Sequence, residues 1–234
     1  MTEVCLFGDS ISKGVVIGGD RTRYSMTTNN FANIVSAGEP KLKINNFSMF
    51  GCTISKGECI IKRHLKAIEA CDVTVLEYGG NDSDHDWSQI AESPDGIHLP
   101  KTTLYDFRKK YTEIVNRLMD LGKNIVLLNL PPIDEKKYFD WLSRGLNRDN
   151  ILKWLGGSEH FIYDFHEGYS RTITEIAHAF KLPLIDIRSA FLATPNFTNY
   201  LCADGIHPNE TGHILMAEII SRFLQDELEL HCQR

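Results

Sequence analysis

The sequence predicts an α/β protein in which a parallel sheet carries helices on both faces. Short apolar runs of strand length alternate along the chain with longer stretches whose apolar residues recur at helical spacing. This alternation is typical of βαβ units, which build parallel sheets covered by helices on both sides. The chain has 234 residues, 42% of them hydrophobic, and this size suits one compact domain. We therefore predict a single domain over residues 1–234.

Apolar runs and apolar stripes predict the individual elements in chain order. The predicted strands are residues 4–7, 44–47, 73–77, 125–130 and 184–187. Stripes at helical spacing predict helices around residues 107–118 and 173–180, and a last helix around residues 216–224. Two segments, 82–100 and 133–157, interrupt this rhythm just after predicted strands. Open α/β sheets bind ligands at the carboxyl ends of their strands, so we expect both insertions to shape a pocket.

Charge and hydropathy exclude several classes of partner. The chain carries 25 Lys and Arg against 31 Asp and Glu, a net charge of -6, and its basic residues are scattered. Nucleic acid and anionic membrane surfaces are therefore poor candidate partners. The N-terminus lacks the pattern of a signal peptide, and no apolar run approaches the ~18 residues of a transmembrane helix. These observations predict a cytoplasmic protein.

The six cysteines show neither a disulfide framework nor a metal motif. Their spacing resembles no small secreted scaffold, and no Cys-x-x-Cys occurs, which argues against structural zinc. Cys5 and Cys71 lie in or beside apolar strand runs. We expect buried free thiols that pack as small hydrophobic side chains.

The tripeptide Gly8-Asp9-Ser10 places a serine hydroxyl directly after the first predicted strand. Ser10 is therefore a candidate nucleophile at the ligand-binding edge of the sheet. A serine in this position also suits the N-cap of the next helix, where it would satisfy a backbone N–H. Partners elsewhere in the chain have to decide between these two interpretations.

A possible partner stands near the C-terminus, in Asp204-Gly205-Ile206-His207-Pro208. A carboxylate three residues before a histidine can hold one ring nitrogen while the other takes a serine proton. A solvated surface turn would give the same pattern. The tetrapeptide also occurs at residues 95–98, but there it follows Pro94 inside an insertion, whereas the later copy leads into a helix. We choose Asp204 and His207, and keep His98 as a candidate pocket residue.

Two further loops supply candidate donors for a developing oxyanion. Asn81 lies in Gly79-Gly80-Asn81-Asp82 after the third predicted strand, and Gly51 follows the second. The Asn81 amide and the unobstructed Gly51 N–H can both donate to an oxygen. Each loop alone is equally compatible with an ordinary glycine turn.

Taken together, the four blocks resemble the GDSL or SGNH hydrolase family. Gly8-Asp9-Ser10, Gly51, Gly79-Gly80-Asn81-Asp82 and Asp204 to Pro208 follow the family order and span nearly the whole chain; Ile11 replaces the leucine of the family name. The resemblance implies a three-layer α/β/α sandwich with a five-stranded parallel sheet and a triad of Ser10, Asp204 and His207. It also implies an oxyanion hole built from the Ser10 N–H, the Gly51 N–H and the Asn81 amide.

The flavodoxin-like strand order 2-1-3-4-5 agrees with this assignment, because it makes the strands before Ser10 and Asn81 neighbours. We expect a serine esterase that works through an acyl-enzyme, needs no cofactor or metal, and acts on a small-molecule ester. An acetylesterase on carbohydrates is the first hypothesis. The alternatives are a lysophospholipase or thioesterase for longer acyl chains, an acyltransferase, and a non-catalytic binder. The sequence does not predict an oligomeric state.

Large aromatic residues are concentrated in the two insertions and predict part of the substrate pocket. Trp87, Trp141 and Trp154, together with His98, are its candidate wall residues. Flat aromatic faces suit sugar or acyl groups. The tryptophans would equally serve to anchor the insertions, because indoles bury large areas.

Overall fold

A five-stranded parallel sheet forms the centre of the protein, as predicted. The computed structural model describes residues 1–17 and 23–232, with side chains up to residue 226. The strands are β1 (Thr2–Gly8), β2 (Val15–Ile17), β3 (Tyr24–Met26), β4 (Leu42–Asn46), β5 (Val73–Glu77), β6 (Asn124–Leu128) and β7 (Leu184–Ile185). The sheet has the spatial order β4-β1-β5-β6-β7. Numbered among themselves, these five strands have the predicted order 2-1-3-4-5.

Helices cover both faces of the sheet and complete three layers. They are α1 (Ser10–Lys13), α2 (Phe31–Gly38), α3 (Ile54–Arg63), α4 (Leu65–Ala70), α5 (Trp87–Glu92), α6 (Leu104–Asp120), α7 (Glu135–Leu142), α8 (Arg148–Trp154), α9 (His160–Phe180), α10 (Ile187–Ala193) and α11 (Glu210–Cys232). A short 3₁₀ helix spans Phe197–Tyr200. Across the described ranges, none of the helices is long and apolar enough to span a bilayer.

Alternating side chains divide the sheet between two apolar cores. Cys5 and Phe7 of β1 pack with α3, α4, α6 and α9, whereas Leu6 packs with α2, α10 and α11. Strand β6 alternates in the same way, with Ile125 on the first face and Leu128 on the second. Both faces of the strands are thus apolar, which explains their unbroken hydrophobic runs in the sequence.

The two predicted insertions pack on each other and form a third, smaller core. Helix α5 lies in the first insertion, and α7 and α8 lie in the second. Their apolar side chains meet one another and the start of α9, with Trp87, Phe139, Ile151 and Ile162 buried. The insertions therefore form a helical cap. It follows strands β5 and β6 at their carboxyl ends, where a pocket was expected.

Two features differ from the sequence prediction. Strands β2 and β3 form an antiparallel pair that the sequence did not reveal, because each is only three residues long and Tyr24, Ser25 and Met26 are all exposed. Among the thiols with described side chains, Cys59 is exposed, while the other four are buried and free, as expected for Cys5 and Cys71.

A buried histidine on α11 should make the stability of the fold fall at acid pH. His213 is fully buried against Phe31, and neither ring nitrogen has a hydrogen-bond partner among the described residues. Burial, assisted by the charge of His207, lowers the pKa of His213 from 6.5 to about 4. Between pH 6.5 and about pH 4, this histidine is protonated in the unfolded chain but not in the folded protein. The free energy of unfolding therefore decreases as pH falls.

We expect His213→Phe to remove part of that dependence, about 2 kcal/mol between pH 7 and pH 4.5. Urea unfolding at both pH values measures it. His178→Gln, which removes an exposed imidazole on α9, is the control and should leave the pH dependence unchanged. If His213→Phe loses as much stability at acid pH as the parent does, the buried ring is not the cause.

Candidate active site

The turn after β1 does not use the Ser10 hydroxyl as a helix cap. Asp9, not Ser10, caps the following helix, because the Asp9 carboxylate accepts the Ile11 N–H at 2.9 Å. Ser10 is instead the first residue of α1. Gly8 is required in this turn, since a Cβ there would lie 2.7 Å from the Glu77 and Ser12 oxygens. The helix-cap interpretation of Ser10 is therefore wrong.

His207 and Asp204 meet Ser10 in one chain of hydrogen bonds. The Nδ1 of His207 lies 2.6 Å from Asp204 Oδ2, and its Nε2 lies 2.8 Å from Ser10 Oγ. An ionised carboxylate can only accept, so Nδ1 carries the ring proton and Nε2 is left to accept from the serine hydroxyl. All three side chains are buried.

The loop before α11 fixes Asp204 by local hydrogen bonds. Its second oxygen, Oδ1, accepts the N–H groups of Ile206 and His207 at 3.1 and 3.2 Å. Gly205 has φ +74°, and a Cβ there would lie 2.5 Å from a backbone oxygen of Asp134. The Asp-Gly-Ile-His turn is thus closed tightly enough for the carboxylate to reach its own histidine.

The earlier copy of this tetrapeptide forms no such pair. His98 lies with its Nε2 2.7 Å from the Ser93 carbonyl oxygen, and its ring packs edge-on against Trp154. His98 is not among the residues that line the cleft around Ser10. The Pro94-Asp95-Gly96 turn folds the His98 ring back onto the insertion to which His98 belongs.

Asn81 and Gly51 both border the cleft that contains Ser10. The Asn81 side-chain amide donates one hydrogen bond to Asp9 Oδ2 at 3.0 Å, and its second N–H remains for another acceptor. Gly51 has φ +66°, a left-handed conformation that suits glycine. The neighbouring Asp82 accepts the Ile54 N–H at the start of α3 with both oxygens at 3.0 Å. Asp82 therefore fastens the Gly51 turn beside the Asn81 loop.

A buried pair of carboxyl groups supports this arrangement from below. Glu77 Oε2 accepts the Asp9 N–H at 3.2 Å and the Ser12 hydroxyl at 2.8 Å. Burial, followed by their mutual repulsion, raises the pKa of Glu77 well above its usual value, and burial also raises that of Asp9. We assign the proton to Glu77, because each Asp9 oxygen accepts an N–H group that stabilises its charge, whereas Glu77 Oε1 has no hydrogen-bond partner among the described residues. The one sequence feature that could have indicated this buried pair is the glutamate at the end of the apolar strand β5.

The cleft has a volume of about 300 Å³, and six Phe, Tyr and Trp rings contribute to its wall. Of the three tryptophans, Trp87 and Trp141 line it. Trp154 does not: it packs within the cap against His85, Trp87 and Phe165, where it anchors the insertion. The wall residues missed by sequence reasoning include Tyr24, Phe50, Tyr138 and Phe165.

A comparison with known protein families places the chain. The model of the GDSL-like Lipase/Acylhydrolase family matches residues 6–215. The chain belongs to this family. The match begins in β1, just before Ser10, and ends in α11, beyond His207. It therefore includes every residue of the hydrogen-bond chain described above.

The individual proteins that resemble this GDSL-family protein in sequence or in structure are named as esterases or lipases. The chain is 27% identical over 161 residues to the GDSL esterase/lipase CPRD49 of Arabidopsis thaliana, and the match spans 68% of this chain and 56% of that relative. The lipase/acylhydrolase from Enterococcus faecalis has a similar structure, with a TM-score of 0.69, 20% identity and 97% of each chain covered. A catalytic mutant of Axe2, an acetylxylan esterase from Geobacillus stearothermophilus, has a TM-score of 0.66 at 18% identity, covering 95% and 93%. These structures share the fold.

In this GDSL-family protein, Asp84 ties the cap to the cleft. One of its oxygens accepts the Trp87 indole N–H at 2.8 Å and the Tyr138 hydroxyl at 2.7 Å, and the other pairs with Lys101 at 2.7 Å. Trp87 lies in the first insertion and Lys101 directly follows it, while Tyr138 belongs to the second. A single carboxylate thus holds both insertions at the rim of the cleft.

Proposed function

We propose that this protein is a serine-dependent carboxylic ester hydrolase that works through an acyl-enzyme, with acetyl esters of carbohydrates as its substrates. One observation carries the proposal: Ser10 Oγ, the His207 ring and the Asp204 carboxylate form a continuous hydrogen-bond chain in a cleft. Three residues that are up to 197 positions apart in sequence meet in the geometry of a nucleophile, a base and an orienting acid.

In the proposed mechanism, Ser10 Oγ attacks the ester carbonyl carbon as His207 Nε2 takes the hydroxyl proton. Asp204 stabilises the imidazolium that forms and holds its orientation. His207 then returns the proton to the leaving alcohol as the carbon–oxygen bond breaks, which leaves an acyl group on Ser10. Water, activated by the same histidine, attacks this acyl group and releases the acid.

The negative charge that develops on the carbonyl oxygen needs donors that are already in position. The free N–H of the Asn81 amide, the Gly51 N–H and the Ser10 N–H fill this role in the proposal. Preorganised donors of this kind act strongly because they need no reorganisation when the charge appears. Asp9 keeps the Asn81 amide from turning away by holding its other hydrogen.

Cleft size and wall chemistry support a small acyl group on a carbohydrate. A volume of about 300 Å³ lies at the lower end of ligand sites and has to hold both halves of the ester. Six Phe, Tyr and Trp rings line the wall, and flat rings suit the apolar faces of sugars. Two similar structures are named as acetyl xylan esterases.

A fluorophosphonate probe tests the nucleophile directly. We expect the folded protein to be labelled at Ser10. Mass spectrometry of the peptide that contains residues 8–14 identifies the labelled residue. Ser83→Ala, which removes another hydroxyl of the same cleft, should be labelled like the parent, and Ser10→Ala should not be labelled. An unlabelled parent protein would refute the proposal and favour a non-catalytic binder.

A series of p-nitrophenyl esters tests the acyl group. We expect kcat/KM to be highest for acetate and to fall by at least about tenfold by octanoate, because one methylene that has no room costs about 1–3 kcal/mol. A rise toward long chains would replace the acetylesterase by a lysophospholipase or thioesterase. Transfer of the acetyl group to added glycerol in preference to water would indicate an acyltransferase.

A further inference from the structure

Three aromatic side chains, two of them exposed and one partly buried, surround the mouth of the cleft beside His207. Tyr24 belongs to β3, Phe50 precedes Gly51, and Trp141 belongs to α7. The Tyr24 ring centroid lies 5.3 Å from that of Phe50 and 5.9 Å from that of Trp141. Tyr24 is 41% exposed and Phe50 is 52% exposed. We call these three residues the aromatic rim.

The rim contacts the reacting histidine itself. The Tyr24 ring lies edge-on to the His207 ring, with 5.2 Å between the centroids. In the proposed mechanism, His207 Nε2 donates its proton to the leaving alcohol, so that alcohol has to lie within hydrogen-bond distance of this nitrogen. A group bonded to the leaving oxygen therefore emerges beside Tyr24.

Tyr24 and Phe50 leave much of their ring surface exposed at the mouth of the cleft. Exposed apolar patches at the edge of a cleft mark ligand-binding surfaces, and aromatic rings contribute large contact area with little loss of conformational freedom. The guanidinium of Arg144 lies 4.1 Å from the centre of the Trp141 ring, which steadies the indole and brings five N–H donors to the same edge. Apolar faces with nearby donors are what a sugar ring requires, since it presents C–H faces and hydroxyl groups.

We propose that the aromatic rim is the binding site for the leaving alcohol, that this alcohol is a sugar ring, and that Tyr24 determines the preference for it. The inference rests on the proposed function for its chemistry, and adds which half of the ester binds where. The acyl group then lies on the cap side of Ser10, along the wall that includes Ile133, Ile162 and Phe165.

Two ester series separate the halves of the substrate. In the first, the acid is acetate and the alcohol changes from methanol to phenol and to xylobiose. In the second, the alcohol is p-nitrophenol and the acyl chain lengthens. We expect Tyr24→Leu to lower kcat/KM about three- to tenfold more for acetylated xylobiose than for methyl acetate, the range that one aromatic contact contributes. The relative rates within the acyl series should stay as in the parent.

Matched variants exclude a purely structural effect. Tyr24→Phe keeps the ring and should retain the parent's preference among alcohols. Tyr105→Ala removes a more exposed tyrosine on α6, outside the cleft, and should match the parent in both series. A uniform fall in all rates for Tyr24→Leu, or a change confined to the acyl series, would overturn the assignment of the rim.

Binding of free xylobiose gives a readout that does not require turnover. Titration calorimetry with the parent protein should detect it, and Tyr24→Leu should raise the Kd at least threefold while Tyr105→Ala should not. If the parent binds xylobiose through Tyr24 but hydrolyses no ester, the proposed function fails and the rim remains a sugar site. If the parent hydrolyses acetates and xylobiose binding is absent or independent of Tyr24, the rim assignment fails alone.

Discussion

Ser10→Ala should lower kcat by a factor of at least about 10⁴ while leaving the fold intact. The substitution removes the atom that would form the acyl-enzyme, and the remaining donors and binding contacts cannot replace it. The Ser10 hydroxyl has one side-chain hydrogen bond among the described residues, to His207. Alanine is also a better helix former at the first position of α1. We expect the urea midpoint to stay the same or to rise.

Ser12→Ala is the matched control for this prediction. Ser12 lies two residues further along α1 and is fully buried, and its hydroxyl donates to Glu77 at 2.8 Å. Its loss should cost about 1 kcal/mol of stability but far less activity than the loss of Ser10. Residual activity above 1% in Ser10→Ala, measured with p-nitrophenyl acetate and with contamination excluded by fluorophosphonate labelling, would rule out Ser10 as the nucleophile.

The parallel sheet and the residues at its edge could be predicted because local signals agree there. Most of the predicted strands are rich in apolar residues, and each candidate triad or oxyanion residue follows a strand or precedes a helix, so order along the chain fixes position in the fold. The choice between two identical tetrapeptides also depended on local context. His207 is followed by Pro208 and a helix, whereas His98 follows a Pro94 turn, and the structure places only His207 beside Ser10.

The walls of the cleft could not be predicted, because tertiary contacts decide them. Tyr24 stands in a three-residue strand with no periodic pattern, and only the fold brings it within 5.2 Å of the His207 ring centre. Trp141 and Trp154 cannot be told apart in the sequence, because each is a tryptophan near the end of a short helix in the same insertion. They differ in what the cap packs against them: Trp141 faces the cleft, while Trp154 stacks within the cap on Phe165.

The buried pair of Asp9 and Glu77 shows a different limit of prediction from sequence. The sequence marks Glu77 as an unusual strand ending, but its meaning depends on a neighbour 68 residues earlier in the chain. Two buried carboxyl groups this close cannot both ionise without a large cost, so one proton has to remain between them. The proton on Glu77 leaves Asp9 charged, and that charge is what holds the Asn81 amide.

Asn81→Ala should lower kcat by about 10²–10³ with little change in KM, because its amide would stabilise charge that appears only in the transition state. The fold should persist, but stability should fall by about 1–3 kcal/mol, because the buried Asp9 Oδ2 loses the N–H that it accepts. Steady-state kinetics with p-nitrophenyl acetate measures the effect, and a loss below tenfold would exclude the amide as an oxyanion donor.

Asn81→Asp distinguishes a lost donor from a lost side chain. The new carboxyl group has almost the same shape but would lie about 3 Å from Asp9 Oδ2, the distance of the present amide contact. When ionised, it would repel both the Asp9 carboxylate and the developing oxyanion, so activity near neutral pH should fall at least as far as in Asn81→Ala. At acid pH the new group is protonated and offers one O–H in place of the two N–H groups, so the deficit relative to the parent should shrink as pH falls without disappearing. An unchanged deficit across this range would contradict the attribution of the loss to repulsion by the new charge.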